Sequence, residues 1–338
     1  MNILGIESSC DETSVAIISD NILKANLISS QDFHTKYGGV VPELSSRAHL
    51  QIIIPLLKDA LKQSGLELND IDVVAATAGP GLVGALLVGL TFAKGLSYAI
   101  NKPFVPVNHI EGHIFSGFLM EDKPEFPMLV MVVSGGHTLL LIVKSYTQIV
   151  KLGTTVDDAA GEAFDKVAKM IGLGYPGGPK IQKAGALGDP ESIKFPVAEL
   201  SEKYNFSFSG LKTSVLRYIQ KEYGDSSRIP EERKCDIAAS FQNAVIKAII
   251  KNSERALKNY EVKSMSVVGG VAANKPLREA LHELANKYGK KFVVPAMTYC
   301  GDNAAMIAYR GQKVYESGQR FTLDYNAFPA LPLNIFSE

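Results

Sequence analysis

The sequence predicts an α/β protein made of two similar lobes, each a sheet covered by helices. Three observations carry that expectation. The chain has 338 residues, which at ~150 residues per domain suggests about two domains. It alternates short apolar runs with segments of helical periodicity. It also repeats one pattern. Ile3-Leu4-Gly5-Ile6, a polar turn over 7–12 and Val15-Ala16-Ile17-Ile18 are matched about 125 residues later by 128–133, the turn Ser134-Gly135-Gly136-His137-Thr138 and 139–143. A tight polar turn between two apolar runs marks an antiparallel strand pair. Its recurrence one domain-length away suggests duplication.

Residues 42–64 have helical periodicity, with Pro42 where a helix starts and Gly65 where it stops. Residues 72–77 read as a strand, 78–81 as a turn, and 82–100 as an apolar helix studded with glycine. A strand over 104–107 leads to a helix from about Ile110 to Leu119. Ala160, Phe164, Val167, Ala168 and Ile171 share one face of a helix over 158–171, which the glycines and prolines of 172–179 stop. Further helices are expected over 232–257, 274–288 and 302–317, with strands over 265–268 and 292–294.

Composition narrows the function. The chain is 46% hydrophobic and 21% charged, which excludes a disordered or fibrous protein. Three cysteines, Cys10, Cys235 and Cys300, make no disulfide framework and suggest a reducing compartment. Residues 82–100 include Lys94 and several glycines and fall short of a membrane span. A soluble, cytoplasmic protein is expected. Basic and acidic residues balance at 35 each, yet 1–150 carry a net −5 and 151–338 a net +5. A polyanion would approach the second half.

Several clusters carry chemistry. His109 and His113 stand at i and i+4, one turn apart on a helix face, which suits a divalent metal or simple packing. Glu111 lies roughly 200° around the helix from His109, which disfavours the zinc-protease arrangement. The Ser134–Thr138 turn either cradles phosphate with its backbone N–H groups or closes a plain hairpin. Strand, Gly269-Gly270 and a helix from Asn274 form either a nucleotide pocket or a close packing. Asp165 offers a carboxylate for a ribose, or pairs with Lys169. Asp302 either caps a helix or supplies an oxygen ligand to the histidines. Cys10 and Cys300 are read as small buried residues rather than nucleophiles.

ESSCDET (7–13), NHIEGH (108–113), VSGGHT (133–138), DDAAGEAFDKVAK (157–169), YPGGP (175–179), FSFSGLKT (206–213), GGVAAN (269–274) and CGDNAAM (300–306) together resemble the bacterial TsaD-type tRNA N6-adenosine threonylcarbamoyltransferases, a family long described as glycoprotein endopeptidases. The motifs stand in the family's order and span nearly the whole chain. The resemblance implies an actin-like, ASKHA-type fold with a central cleft. It implies a first lobe over 1–127 rejoined by a last helix over 302–318, a second lobe over 128–301, and a tail over 319–338. It implies one iron or zinc ion on His109, His113 and Asp302, and an adenylate pocket from Val132, Val133, Ser134, Gly135, Gly136, Asp165, Gly178 and Asn274. Archaeal and eukaryotic relatives place a tyrosine ligand before the SGG turn. Val132 stands there in this chain, so water or substrate would complete the coordination.

The implied reaction passes a threonylcarbamoyl group from threonylcarbamoyl-AMP to N6 of the adenosine 3′ of the tRNA anticodon, releasing AMP. Asp11 is the candidate for proton transfer. Lys180, Lys183, Lys212, Arg217 and Lys221 are candidate phosphate contacts on tRNA. Implied partners are a paralogous actin-like subunit (TsaB type) and a P-loop ATPase (TsaE type); neither membrane nor DNA is expected. The helix over 82–100, with Gly81, Gly84, Ala85 and Gly89, is expected either to pack within its own lobe or to meet a partner helix. The alternatives are a small-molecule kinase of the same superfamily and a nucleotide-binding scaffold without turnover.

Overall fold

The computed structural model describes residues 1–333. They form two compact units, one of Met1–Lys123, Tyr146–Gln148 and the chain from Pro295 onward, the other of Pro124–Ser145 and Ile149–Val294. In the first unit, β1 (Asn2–Glu7), β2 (Glu12–Ser19) and β3 (Ile22–Ser30) make an antiparallel meander. After α1 (Pro42–Ser64), β4 (Val73–Gly79) joins β1 in parallel; after α2 (Val83–Ala99), β5 (Phe104–Asn108) joins β4, and α3 (His109–Phe115) follows at once. The sheet order is β3-β2-β1-β4-β5.

Strand alternation gives this sheet two different faces. Leu4, Ile6, Val15, Ile17, Val74 and Ala76 form one core with Ile53 and Leu57 of α1 and Leu90 and Ala93 of α2. The small residues Gly5, Ala16 and Ala75 point the other way. Helix α1 has the expected bounds: Pro42 needs no N–H partner in the first turn, and Gly65 takes the left-handed C-cap at φ 71. The glycines of α2 admit its own unit, because a Cβ on Gly89 would lie 2.2 Å from Ser8 Oγ and one on Gly84 2.5 Å from Ser46 Oγ.

The second unit repeats the first. Its strands are β6 (Met128–Val133), β7 (Thr138–Ser145) and β8 (Gln148–Thr154), then β9 (Ser264–Val268) and β10 (Lys291–Val293). Read as β8-β7-β6-β9-β10, their order is that of the first sheet. Its helices are α4 (Ala160–Met170), α5 (Gly177–Gly185), α6 (Ser209–Glu222), α7 (Glu231–Asn259) and α8 (Lys275–Lys287). Phe164 of α4 meets Phe241 of α7 edge-on at 5.2 Å in the core.

The chain then rejoins the first unit with α9 (Met297–Cys300) and α10 (Ala304–Glu316). Helix α10 lies on the small-residue face: a Cβ on Gly311 would sit 2.4 Å from Ala75 Cβ. Its return falls at Pro295 rather than at 302, and the second unit begins at Pro124 rather than 128. The expected tail belongs to the first unit over its described residues. Phe328 N donates to Ala78 O at 2.8 Å, Lys94 Nζ to Tyr325 O at 3.0 Å, and Leu331 joins the core. Residues 334–338 of that expectation lie outside the described residues. No helix among the described residues is long and apolar enough to cross a membrane.

Candidate metal centre and glycine loops

The histidine pair is placed by a strand that turns directly into a helix. Asn108 ends β5 and caps α3, its Oδ1 accepting from Ile110 N at 2.9 Å and Glu111 N at 3.2 Å. His109 and His113 then share one helix face, their rings edge-on at 4.7 Å. Asp302 arrives from the far end of the chain. It does not cap α10; Asn303 does, accepting from Met306 N at 3.1 Å. The Asp302 carboxylate is thereby left for the imidazoles, with Oδ1 3.0 Å from His113 Nε2 and 3.4 Å from His109 Nε2. One donor atom from each of the three residues lies within 4.8 Å of the others.

A further carboxylate orients the first histidine. Glu7, fully buried at the end of β1, holds Oε2 3.1 Å from His109 Nδ1, and the same oxygen accepts from Thr77 Oγ1 at 2.5 Å. Ser9 Oγ stands 3.2 Å from that nitrogen, and Ser9 N donates to Glu7 Oε1 at 2.5 Å. A proton on Nδ1 facing Glu7 leaves Nε2 as the donor atom directed at Asp302. Sequence reasoning missed Glu7 in this role. Its signal was a carboxylate ending an otherwise apolar strand, inside the same motif as Asp11.

Charge and chemistry both suit a divalent ion. Burial opposes charge on His109, but Asp302 and Glu7 outweigh it and hold the imidazole protonated well above its ordinary range. Burial likewise opposes charge on Asp302, and the two imidazoles outweigh it and hold the carboxyl well below the usual range. Glu12 is pushed up to about 9, by burial first and then by Asp302 and Asp11. Carboxylates crowded around a protonated imidazole are the surroundings that a cation would neutralise. His113 Nδ1 is buried without a hydrogen-bond partner. Two imidazoles and one carboxylate with further coordination positions open are a donor set of zinc and of non-haem iron. Cys10 is no nucleophile: burial, then Asp11 and Asp302, push its thiol far up. Cys300 is buried, its thiol donating to Pro295 O at 3.4 Å.

The expected nucleotide residues lie in the second unit, around the carboxyl ends of β6 and β9. The turn after β6 is closed by Ser134 N donating to His137 O at 2.8 Å and His137 N to Ser134 Oγ at 3.1 Å. Gly135 and Gly136 are exposed, and a Cβ on either would meet nothing within 4 Å. Close contacts seat this turn: a Cβ on Gly161 would lie 2.5 Å from Ser134 O, and one on Gly269, at φ 93, 2.5 Å from Val133 O. Asp165 accepts from Gly177 N at 2.7 Å, and burial raises its carboxyl. It therefore holds the YPGGP loop rather than pairing with Lys169, and Gly178 stands open beside it. Asn274 caps α8 by accepting from Leu277 N at 3.0 Å and donates Nδ2 to Gln242 Oε1 at 2.7 Å. Val132 and Val133 are fully buried in β6, so their side chains line no open surface.

Lys212 bridges to Asp158 Oδ2 at 2.5 Å, while Lys166 takes Oδ1 at 2.9 Å. That pairing pins the FSFSGLKT segment and removes Lys212 from the free cations. Lys221 lies 3.5 Å from Glu222, and Lys183 and Arg217 are exposed.

A family model described as TsaD, tRNA N6-adenosine threonylcarbamoyltransferase, matches residues 21–309. The chain belongs to the TsaD family. A TsaD protein of Symbiobacterium thermophilum named tRNA N6-adenosine threonylcarbamoyltransferase is 47% identical over 335 residues, covering 98% of this chain and 97% of its own length. One of Carboxydothermus hydrogenoformans is 50% identical over 334 residues, with the same coverage. Among solved structures, T. kodakarensis HypF matches with a TM-score of 0.65 at 15% identity, over 94% of this chain and 48% of that one. Component A of the Acidaminococcus fermentans (R)-2-hydroxyglutaryl-CoA dehydratase matches at 0.54 and 17%, over 94% and 100%. These two share the fold alone. The TsaD chain is thus a tRNA-modifying transferase with an actin-like α/β fold.

Proposed function

We propose that the chain transfers the threonylcarbamoyl group of threonylcarbamoyl-AMP to N6 of the adenosine 3′ of the anticodon, in tRNAs reading codons that begin with A. The family match across most of the chain carries this reading, and the convergence of His109, His113 and Asp302 supports it. In the reaction a C–N bond forms between N6 and the carbamoyl carbon. The C–O bond to phosphate breaks, AMP leaves with the electron pair, and N6 loses a proton. That amine is a poor nucleophile because its lone pair is delocalised into the ring, so positioning and charge stabilisation must supply the rate.

His109, His113 and Asp302 would hold one zinc or iron ion, whose chemistry there is Lewis-acid polarisation of a carbonyl. Glu7 fixes the tautomer and tilt of His109. Asp11, in the adjoining turn, is the proposed proton acceptor. Backbone N–H groups of the Ser134–Gly136 turn would bind phosphate, with the open Gly178 beside the nucleoside. Asp165 and Asn274 act by holding the loops that face it. Lys180, Lys183, Arg217 and Lys221 are the remaining tRNA phosphate candidates. The test is reconstitution with threonylcarbamoyl-AMP, unmodified tRNA and all partners, with mass analysis of the nucleosides; unchanged adenosine overturns the proposal.

Glu7→Gln keeps an acceptor for Nδ1 but removes the charge, so zinc affinity should fall about 10-fold or more. Competition with a chelator measures it, and an unchanged affinity would reduce Glu7 to packing. The proposed partners are a TsaB-type subunit and a TsaE-type ATPase in the cytoplasm. The glycine stripe of α2 is spent on its own unit, but Leu50 and Ile54 of α1 and Val83 and Leu87 of α2 remain exposed. Leu87→Asp should weaken binding of a purified TsaB-type subunit by roughly 10-fold or more, with the melting temperature unmoved.

A further inference from the structure

The string His109-Ile110-Glu111-Gly112-His113 contains a carboxylate that the proposed transfer does not use. Glu111 faces away from the two imidazoles, into the seam between α3 and α10. Its side chain is fully buried, and Arg310 of α10, 3% exposed, brings Nε to 2.9 Å and Nη2 to 2.7 Å of Oε2. The guanidinium is held on its other sides as well: Nη1 donates to Tyr146 O at 2.7 Å, and its plane lies 4.7 Å from the centre of the Phe115 ring. The two helices touch beside the pair, where a Cβ on Gly112 would lie 3.0 Å from Ile307 Cδ1 and 3.2 Å from Met306 Cγ.

We propose that the Glu111–Arg310 pair is a positioning device that fixes α3 against α10 so that His109, His113 and Asp302 converge on one ion. This rests on the metal reading given above. Each partner sits on the rigid element that carries ligands: Glu111 midway between the histidines, Arg310 about two turns beyond Asp302 on the helix it introduces. Apolar side chains alone specify such a seam loosely, since a slide of one helical turn offers another set of contacts. The fork of an arginine on one carboxylate oxygen accepts one register only. Burying two charges is a poor way to gain stability compared with a well-packed apolar pair. Specification of geometry is therefore the use that fits. The same contacts withdraw Glu111 from any role as a base at the imidazole face.

The experiment measures zinc affinity by chelator competition on the purified full-length chain, with Co²⁺ absorption as a readout of ligand geometry. The variants are Glu111→Gln, Arg310→Met, the double variant Glu111→Leu/Arg310→Met, and Asp302→Ala. The double variant replaces both charges with apolar groups and keeps the test open if either single variant fails to fold. The expected result is a double variant that melts like the native chain yet binds zinc at least about 10-fold more weakly, with a shifted Co²⁺ spectrum. Native zinc affinity and an unshifted spectrum in a folded double variant would overturn the positioning role. Asp302→Ala separates the two ideas. If it too binds zinc as the native chain does, the metal reading fails and the positioning role falls with it.

Discussion

Asp302→Ala should lose its metal and at least 10²-fold of its threonylcarbamoyl transfer together, while the fold persists. The carboxylate is the only one of the three proposed ligands that comes from outside α3, and it stands within 3.4 Å of both imidazole Nε2 atoms. Removing it leaves two neutral donors on one helix turn, which bind a divalent ion far more weakly than a set of three. The transfer should fall with the metal, because the polarised carbonyl is the feature the transition state exploits. Stability should change by only about 1–2 kcal/mol, since the loss of the His113 bond is offset by relief of repulsion on Glu12. Metal content by elemental analysis, nucleoside mass analysis and a melting curve decide it. A variant with native metal content and native transfer would remove the triad from the mechanism. Asp11→Asn serves as the contrast, expected to slow transfer while retaining metal.

Much of this was readable in the sequence, for physical reasons that differ from element to element. The duplicated hairpins were legible because strand, tight turn and strand is a local pattern, and the two sheets do repeat one order. The third strands, β3 and β8, were missed because they lie at sheet edges. Their burial is mixed, and their sequences lack a clean alternation of period two. Helix α5 was read as a stop signal. Gly177, Gly178 and Pro179 instead form its first turn, where a proline costs no hydrogen bond. Helix α6 had a visible signal in Leu211, Val215 and Ile219, four residues apart and all buried, but a short amphipathic stretch between polar segments competes poorly with a loop. At the site, the histidine pair was legible from spacing alone. Asp302 was not, because whether it or Asn303 caps α10 depends on backbone angles. Glu7 and Arg310 were invisible for the same kind of reason: their partners lie 102 and 199 residues away.

Gly5→Ala should destabilise the first unit by roughly 3 kcal/mol, at or beyond the upper end of ordinary overpacking. The added methyl has nowhere to go. It would lie 2.5 Å from Ala304 O, 2.7 Å from Ala308 N and 2.8 Å from Ala308 Cβ, and the first two are backbone atoms that no rotamer change can move. Relief requires α10 to lift from the face formed by Gly5, Ala16 and Ala75. Ala304 begins that helix two residues after Asp302, so the displacement acts on the proposed ligand. Zinc affinity should therefore fall even in the surviving folded fraction. Gly95→Ala is the control, since that glycine sits exposed within α2 with nothing within 4 Å of a Cβ. There the same change should stabilise by about 0.5–1 kcal/mol through helix propensity. Denaturant unfolding of both variants, read alongside chelator competition, tests the contact. A Gly5→Ala chain that unfolds at the native midpoint would mean that β1 and α10 are not in the close contact that brings a carboxylate from the end of the chain to histidines near its first third.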